Sequence, residues 1–139
     1  MPKAARIPDT FRDFFTRPVL AHLATLMPDG TPQVTPVWID YDGEHLLVNT
    51  LGDRQKGRNL RARPQVALDM VDPDNPFRYL AVRGRVVELT EEGAAAQIDG
   101  LALRYLGTPY PRHDPVRPRV LVRIWPEEVS YQERIGEIR

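Results

Sequence analysis

Closely spaced turn signals, Pro28-Asp29-Gly30, Asp42-Gly43 and Gly52, cut the chain between Val19 and Thr50 into runs too short for ordinary helices. Val19 to Met27 alternates loosely between apolar and other residues, and Thr31 to Tyr41 and Glu44 to Thr50 follow as further strands. Connections this short join antiparallel neighbours, so the three runs predict a meander. An open meander leaves rows of edge N–H and C=O groups unpaired. A closed barrel, or a second copy of the chain, has to cover them.

The flanking segments extend this reading. Pro8 to Phe15 predicts a short helix capped by Asp9 or Thr10, with Phe11, Phe14 and Phe15 on one stripe. Arg54 to Arg63 predicts a second helix, stopped by Pro64. Gln65 to Val71 is a fourth strand, Asp72 to Pro76 a loop, and Arg78 to Leu89 a long fifth strand with a bulge or bend at Arg83-Gly84-Arg85. Thr90 is the expected N-cap of a helix that runs to Leu106 and stops at Gly107. A proline-rich loop, Thr108 to Pro118, leads to a last strand over Arg119 to Tyr131, interrupted near Pro126. Repeats, linkers and a domain boundary are absent, so residues 1–139 read as one domain: a β-barrel decorated by helices, in the α+β or all-β class.

Composition narrows the function. Neutral formal charge speaks against nucleic-acid binding, which needs a broad basic face. No apolar run is long enough for a membrane span, and Met1 to Arg6 is not followed by the apolar stretch of a secretory signal, so the cytoplasm is the expected location. Without cysteine there is neither a disulfide nor a thiolate metal site. Ser130 is the sole serine and has no Gly-x-Ser-x-Gly around it. His22, His45 and His113 stand apart with no metal-ligand spacing, and neither a Gly-x-Gly-x-x-Gly nor a P-loop occurs. The pairs Glu91-Glu92 and Glu127-Glu128 read as capping and surface charge, and Tyr105 to Pro111 as a packed loop, with the lining of a cleft as the alternative.

One segment breaks the even distribution of charge. Asp53 to Pro64 carries five basic residues against one acid, directly after the strand end Val48-Asn49-Thr50 and the break at Gly52. A strand that turns at glycine into a basic helix presents free backbone N–H groups and full positive charges together, which suits a phosphate. Lys56 stands out because the only other lysine, Lys3, lies in the N-terminal tail, which is expected to fray. A solvated basic helix is the plainer alternative; on an ideal helix Arg54 and Arg58 share a face, and Lys56 points about 200° from Arg54.

The order of these pieces resembles the pyridoxamine 5′-phosphate oxidase-like split β-barrel superfamily, and within it the branch that uses the deazaflavin coenzyme F420. The resemblance rests on His22-Leu23-Ala24-Thr25-Leu26, Asp29-Gly30-Thr31-Pro32-Gln33-Val34-Thr35-Pro36-Val37-Trp38, Val48-Asn49-Thr50, Arg54-Gln55-Lys56-Gly57-Arg58-Asn59-Leu60 and Arg63-Pro64. It implies an FMN-binding-like, mainly β split barrel working as a homodimer, with the cofactor at the interface. It implies that Thr35, Pro36, Val37 and Trp38 hold the ring, that Asn49 and Thr50 meet the ribityl chain or phosphate, that Arg54, Lys56, Arg58 and Asn59 face the phosphate or an acidic tail, and that Gln55 counts with them among the cofactor-binding residues. Tyr79 falls where the family places a contact from one of the two subunits.

Gln55-Lys56 replaces the Arg-Lys pair of the vitamin oxidases, and Val122 to Tyr131 does not match their substrate-binding tail, so that activity is not expected. The expectation is an F420-dependent reductase passing a hydride to a small unsaturated substrate. The alternatives are an FMN-dependent oxidase or flavin reductase, and a non-catalytic protein that binds the cofactor or a haem-like ligand.

Overall fold

Apolar residues at alternate positions turn one side of each strand inward. The computed structural model describes residues 4–134, so Lys3 lies outside the described residues. Seven strands, β1 (Ala21–Leu26), β2 (Pro32–Val37), β3 (Ile39–Tyr41), β4 (Leu46–Leu51), β5 (Gln65–Asp72), β6 (Asn75–Thr90) and β7 (Arg119–Gln132), form one curled sheet. Every pairing is antiparallel and the order is β2-β1-β5-β6-β7-β4-β3. The split-barrel expectation is borne out.

The strand expected over Thr31 to Tyr41 is two strands. β2 pairs with β1 through Ala21↔Val37, whereas β3 pairs with β4 through Ile39↔Val48, and only Trp38 lies between them. The meander keeps its neighbours, but its middle strand changes partner. Twist splays successive strands apart in a curled sheet, so one straight strand cannot stay in register with both neighbours. The two edges of the sheet order are thus joined by the chain itself.

Leu23 of β1, Leu68 of β5, Leu80 of β6 and Val122 of β7 meet inside, all at most 4% exposed. One mouth is closed by Asp9–Phe15, a 3₁₀ rather than an α-helix, which buries Phe11 and Phe14 edge to face with ring centroids 5.0 Å apart. Neither Asp9 nor Thr10 caps it; Pro8 holds that position without a side-chain bond. The other mouth receives Leu60 of α1 (Gln55–Ala62).

At the first mouth Asp72 follows Val66, Leu68 and Met70 on the inward side of β5. This buried carboxylate accepts bonds from Arg17 Nη2 (3.1 Å) and Arg78 Nη1 (2.9 Å). Arg78 also binds both oxygens of Asp13 and the carbonyl of Thr10, and its guanidinium lies over the rings of Phe11 and Phe14.

The expected loop over Asp72 to Pro76 is shorter than read: β6 begins at Asn75, and Asp72↔Asn75 brackets a tight turn. The expected irregularity at Gly84 is present, as a register shift between Arg83 and Gly84 opposite β7. β7 runs through Pro126, opposite Gly84, without ending. A Cβ on Gly84 would lie 2.3 Å from the carbonyl oxygen of Trp125, a backbone atom that cannot swing aside. Gly84→Ala is therefore expected to lower unfolding free energy by about 2 kcal/mol, read from a urea titration; an unmoved midpoint would mean that β7 yields at no cost.

The second helix, α2 (Ala94–Leu106), starts later than expected, because Gly93 takes the cap position. Thr90 instead accepts the Glu92 N–H in a local turn (3.1 Å), and the helix ends at Gly107 as expected. Among the described residues, no helix is long and apolar enough to cross a membrane.

Candidate functional site

A cleft of about 300 Å³ opens where the split strand turns from one partner to the other. Its floor is Pro36, Val37 and Trp38, at the junction of β2 and β3, with Asn49 and Thr50 from the end of β4. Arg54 and Lys56 form one rim, and Tyr110 and Arg119 the other, with Leu20 and Ile98 adding apolar surface.

Aromatic packing fixes the floor. Trp38 stacks on Tyr105 of α2 at 5.2 Å between ring centroids and only 6° between planes, and meets Tyr110 edge on at 6.3 Å. Tyr105 is locked behind it: its hydroxyl donates to the Val19 carbonyl (2.5 Å) and accepts the Ile39 N–H (3.3 Å). Burial raises the Tyr105 pKa, which keeps the phenol in its donating form. The strand break at Trp38 is thus clamped from both sides.

The proline-rich loop supplies the far wall and is tied down at two points. Asp99 of α2 accepts the Tyr110 N–H and bonds His113 Nε2, both at 2.9 Å. Arg117 forks onto Asp53 at 2.9 and 3.1 Å. Asn49, almost fully buried, links the walls: its Nδ2 donates to the Ala94 carbonyl and to Gln97, and its Oδ1 accepts from Arg119 Nε at 2.5 Å. Arg119 Nη1 in turn donates to the Tyr110 hydroxyl at 3.1 Å.

The rim is positive. Arg54 and Lys56 come from the turn into α1 and Arg119 from the start of β7, and among the described residues none of them forms an ion pair with a carboxylate. The neighbouring acid, Asp53, is held by Arg117. Burial lowers the Lys56 pKa, and the like charges of Arg54 and Arg119 lower it further. A half-buried ammonium facing two guanidinium groups is destabilised, and a neighbouring anion would relieve it. The start of α1 adds backbone N–H groups without intrahelical acceptors. α1 can sit so close to β4 because residue 57 is glycine; a Cβ there would lie 2.7 Å from the carbonyl oxygens of both Leu51 and Gly52.

The remaining residues singled out from the sequence lie elsewhere. Thr35 precedes the cleft on β2, cross-strand from Leu23. Arg58 is exposed, donating to the Asp53 carbonyl and to Gln55 Oε1. Gln55 donates to Asn59 Oδ1 at 2.7 Å. Asn59 is wholly buried, and its Nδ2 donates to Thr25 of β1 at 3.0 Å, so its amide anchors α1 to the barrel. Tyr79 is on β6, between Val71 and Gln132, three places from β2 in the sheet order. Tyr110, Arg119, Leu20 and Ile98 line the cleft without having been singled out; the alternative reading of Tyr105 to Pro111 as a cleft wall was the one available pointer. The histidines find carboxylates rather than one another, as in His22 with Asp69 (2.8 Å). Among the described residues, no group of three or more His, Asp or Glu side chains converges as a metal-binding set.

Comparison with known proteins places this geometry. The family profile of pyridoxamine 5′-phosphate oxidase matches residues 7–133, and the chain belongs to that family. Among solved structures it is similar to an F420 reductase, with 39% identity over 88% of this chain and 98% of that one, at a TM-score of 0.77. It is also similar to a conserved hypothetical protein from Mycobacterium tuberculosis, at 26% identity over 96% and 88% of the two chains, with a TM-score of 0.73. HupZ of Group A Streptococcus, 19% identical over 94% and 99% with a TM-score of 0.65, shares the fold.

Proposed function

We propose that this protein is an F420-dependent oxidoreductase that reduces a small unsaturated organic substrate. The observation that carries the reading is the unpaired Arg54, Lys56 and Arg119 rim beside a flat aromatic floor, in a chain 39% identical to an F420 reductase. A tricyclic ring joined to a phosphate needs this combination of an apolar slot and a fixed cationic end. When bound, the reduced deazaflavin supplies the hydride. The protein's part is to bind and orient.

Thr35, Pro36, Val37 and Trp38 would bound the ring, with Trp38 held rigid by Tyr105. Thr50 would face the ribityl chain, and Asn49 would keep the two walls in register. Arg54 and Lys56 would take the phosphate. Arg58, on the exposed side of α1, would meet an acidic tail beyond it, with Gln55 fixing its guanidinium. Asn59 would act through its anchorage of α1.

The cleft is open on one side, so a homodimer would complete it, and Tyr79 would reach a cleft only from the second subunit. Fluorescence titration of the purified protein with F420 and with FMN tests the assignment. Saturable F420 binding tighter than FMN binding is expected; tight FMN binding with no F420 binding would replace it with the FMN reading. Sedimentation should show a dimer, and a stable monomer that binds cofactor would remove the second subunit from the site.

A further inference from the structure

We infer that Arg119 is a third anion-binding group of the cleft, making it selective for ligands that carry at least two negative charges at their anionic end. The inference rests on reading this end of the cleft as the phosphate end. Arg119 stands at the start of β7, outside the basic segment that marks the site in the sequence. Two of its contacts are known: Nε to Asn49 Oδ1 and Nη1 to the Tyr110 hydroxyl. Guanidinium has five N–H donors in a fixed fork, so three remain for a ligand.

Its placement is rigid rather than opportunistic. Asn49 is itself bonded to α2 through Nδ2, and the Tyr110 ring lies 4.9 Å from the guanidinium carbon. The charge is also close enough to act on Lys56, whose pKa is lowered by burial, by Arg54 and by Arg119. A monoanion leaves a surplus of positive charge among three such groups. A phosphate dianion, or a phosphodiester with a neighbouring carboxylate, relieves the repulsion more completely. Neutral ligands gain nothing from the rim.

Lys56 is a built-in reporter, since Lys3 is the only other lysine. With lysine labelled at Cε, inorganic phosphate should shift the Lys56 NMR signal saturably. Sulfate should compete for the same site, and acetate at equal ionic strength should not. In Arg119→Gln the phosphate titration should weaken by roughly ten- to a hundredfold, the range for losing a charge-assisted bond. FMN affinity should fall in step while riboflavin binding stays put. Arg119→Lys, which keeps the charge and loses the fork, should fall between.

An unchanged phosphate titration in Arg119→Gln overturns the inference, as does acetate competing as well as sulfate. Equal losses for riboflavin and FMN would also overturn it, because they would mark Arg119 as a support for the wall alone. Should Arg119→Gln fail to fold, the sulfate and acetate competition on the unaltered protein still decides the two-charge requirement. If neither F420 nor FMN binds but Lys56 still answers phosphate through Arg119, the proposed cofactor is wrong and the anion site stands.

Discussion

Lys56→Ala is expected to weaken binding of the proposed cofactor by roughly ten- to a hundredfold, the usual consequence of deleting one charge-assisted hydrogen bond, while leaving the fold intact. The two halves of that expectation come from the same observation. Among the described residues the Lys56 ammonium has no hydrogen bond or ion pair, and its charged form is disfavoured by burial and by Arg54 and Arg119. Removing it costs the ligand-free protein little and relieves repulsion, so the thermal midpoint should hold or rise. Lys56→Arg should recover part of the affinity. A cofactor titration and a melting curve on the same samples suffice. Unchanged affinity would put the phosphate elsewhere, and a collapsed melting point would recast Lys56 as structural.

Arg78→Met should cost about 3–5 kcal/mol of stability, the range for breaking a buried ion pair from one side. The methionine keeps apolar bulk over Phe11 and Phe14, yet Asp72 and Asp13 lose their shared guanidinium. Asp72 would then lean on Arg17 alone for charge. Burial pushes the Asp72 carboxyl up, but hydrogen bonds from Arg17, the Asp74 N–H and Arg78 outweigh it and bring the pKa from 3.8 to about 2. The Asp13 pKa is lowered too, chiefly by Arg78.

A depressed carboxyl pKa means that the stabilisation is complete above the unfolded value and is lost as pH falls through the folded one. The protein should therefore hold this contribution above about pH 4 and shed it towards pH 2, while Arg78→Met should unfold at a higher pH. Acid titrations followed by circular dichroism compare the two directly. Coincident curves would show that Arg78 does not hold these carboxylates ionised. Partial recovery of stability on adding Asp72→Asn is the accompanying expectation.

What could be read in advance follows the range of the interactions. The basic segment and the Pro36-Val37-Trp38 floor are written locally, as charge density after a turn and as a short apolar run, and both meet in the cleft. The break at Trp38 leaves no local trace, because Val37 and Ile39 both point inward and the alternation passes straight through it. Arg119 reaches the site through Asn49, a contact spanning about half the chain that no short pattern records, and Tyr110 is held there through Arg119. Asn59 misleads for the opposite reason. Its neighbours Arg58 and Arg61 make the helix look exposed, while the turn of α1 drives that one amide onto Thr25. Tyr79 lies on the same chain but three places from β2 in the sheet, so a contact from it to the cleft would have to come from a second subunit.

The change of partner at Trp38 also leaves the sheet with pairings of very different sequence range. The β1–β2, β3–β4 and β5–β6 pairings are local, whereas β4 meets β7 across about half the chain, through Leu46↔Ile124 to Leu51↔Arg119. Closing so long a loop carries a large entropy cost, so this seam is expected to form after the local pairings that help to offset it. The β4–β7 seam is the one that carries Asn49 against Arg119. A chain with its hairpins formed but the seam unzipped would hold most of the sheet and no cleft at all. Recognition of the proposed ligand would then be a property of the finished barrel, and a bound ligand would act as a clasp on the β4–β7 seam.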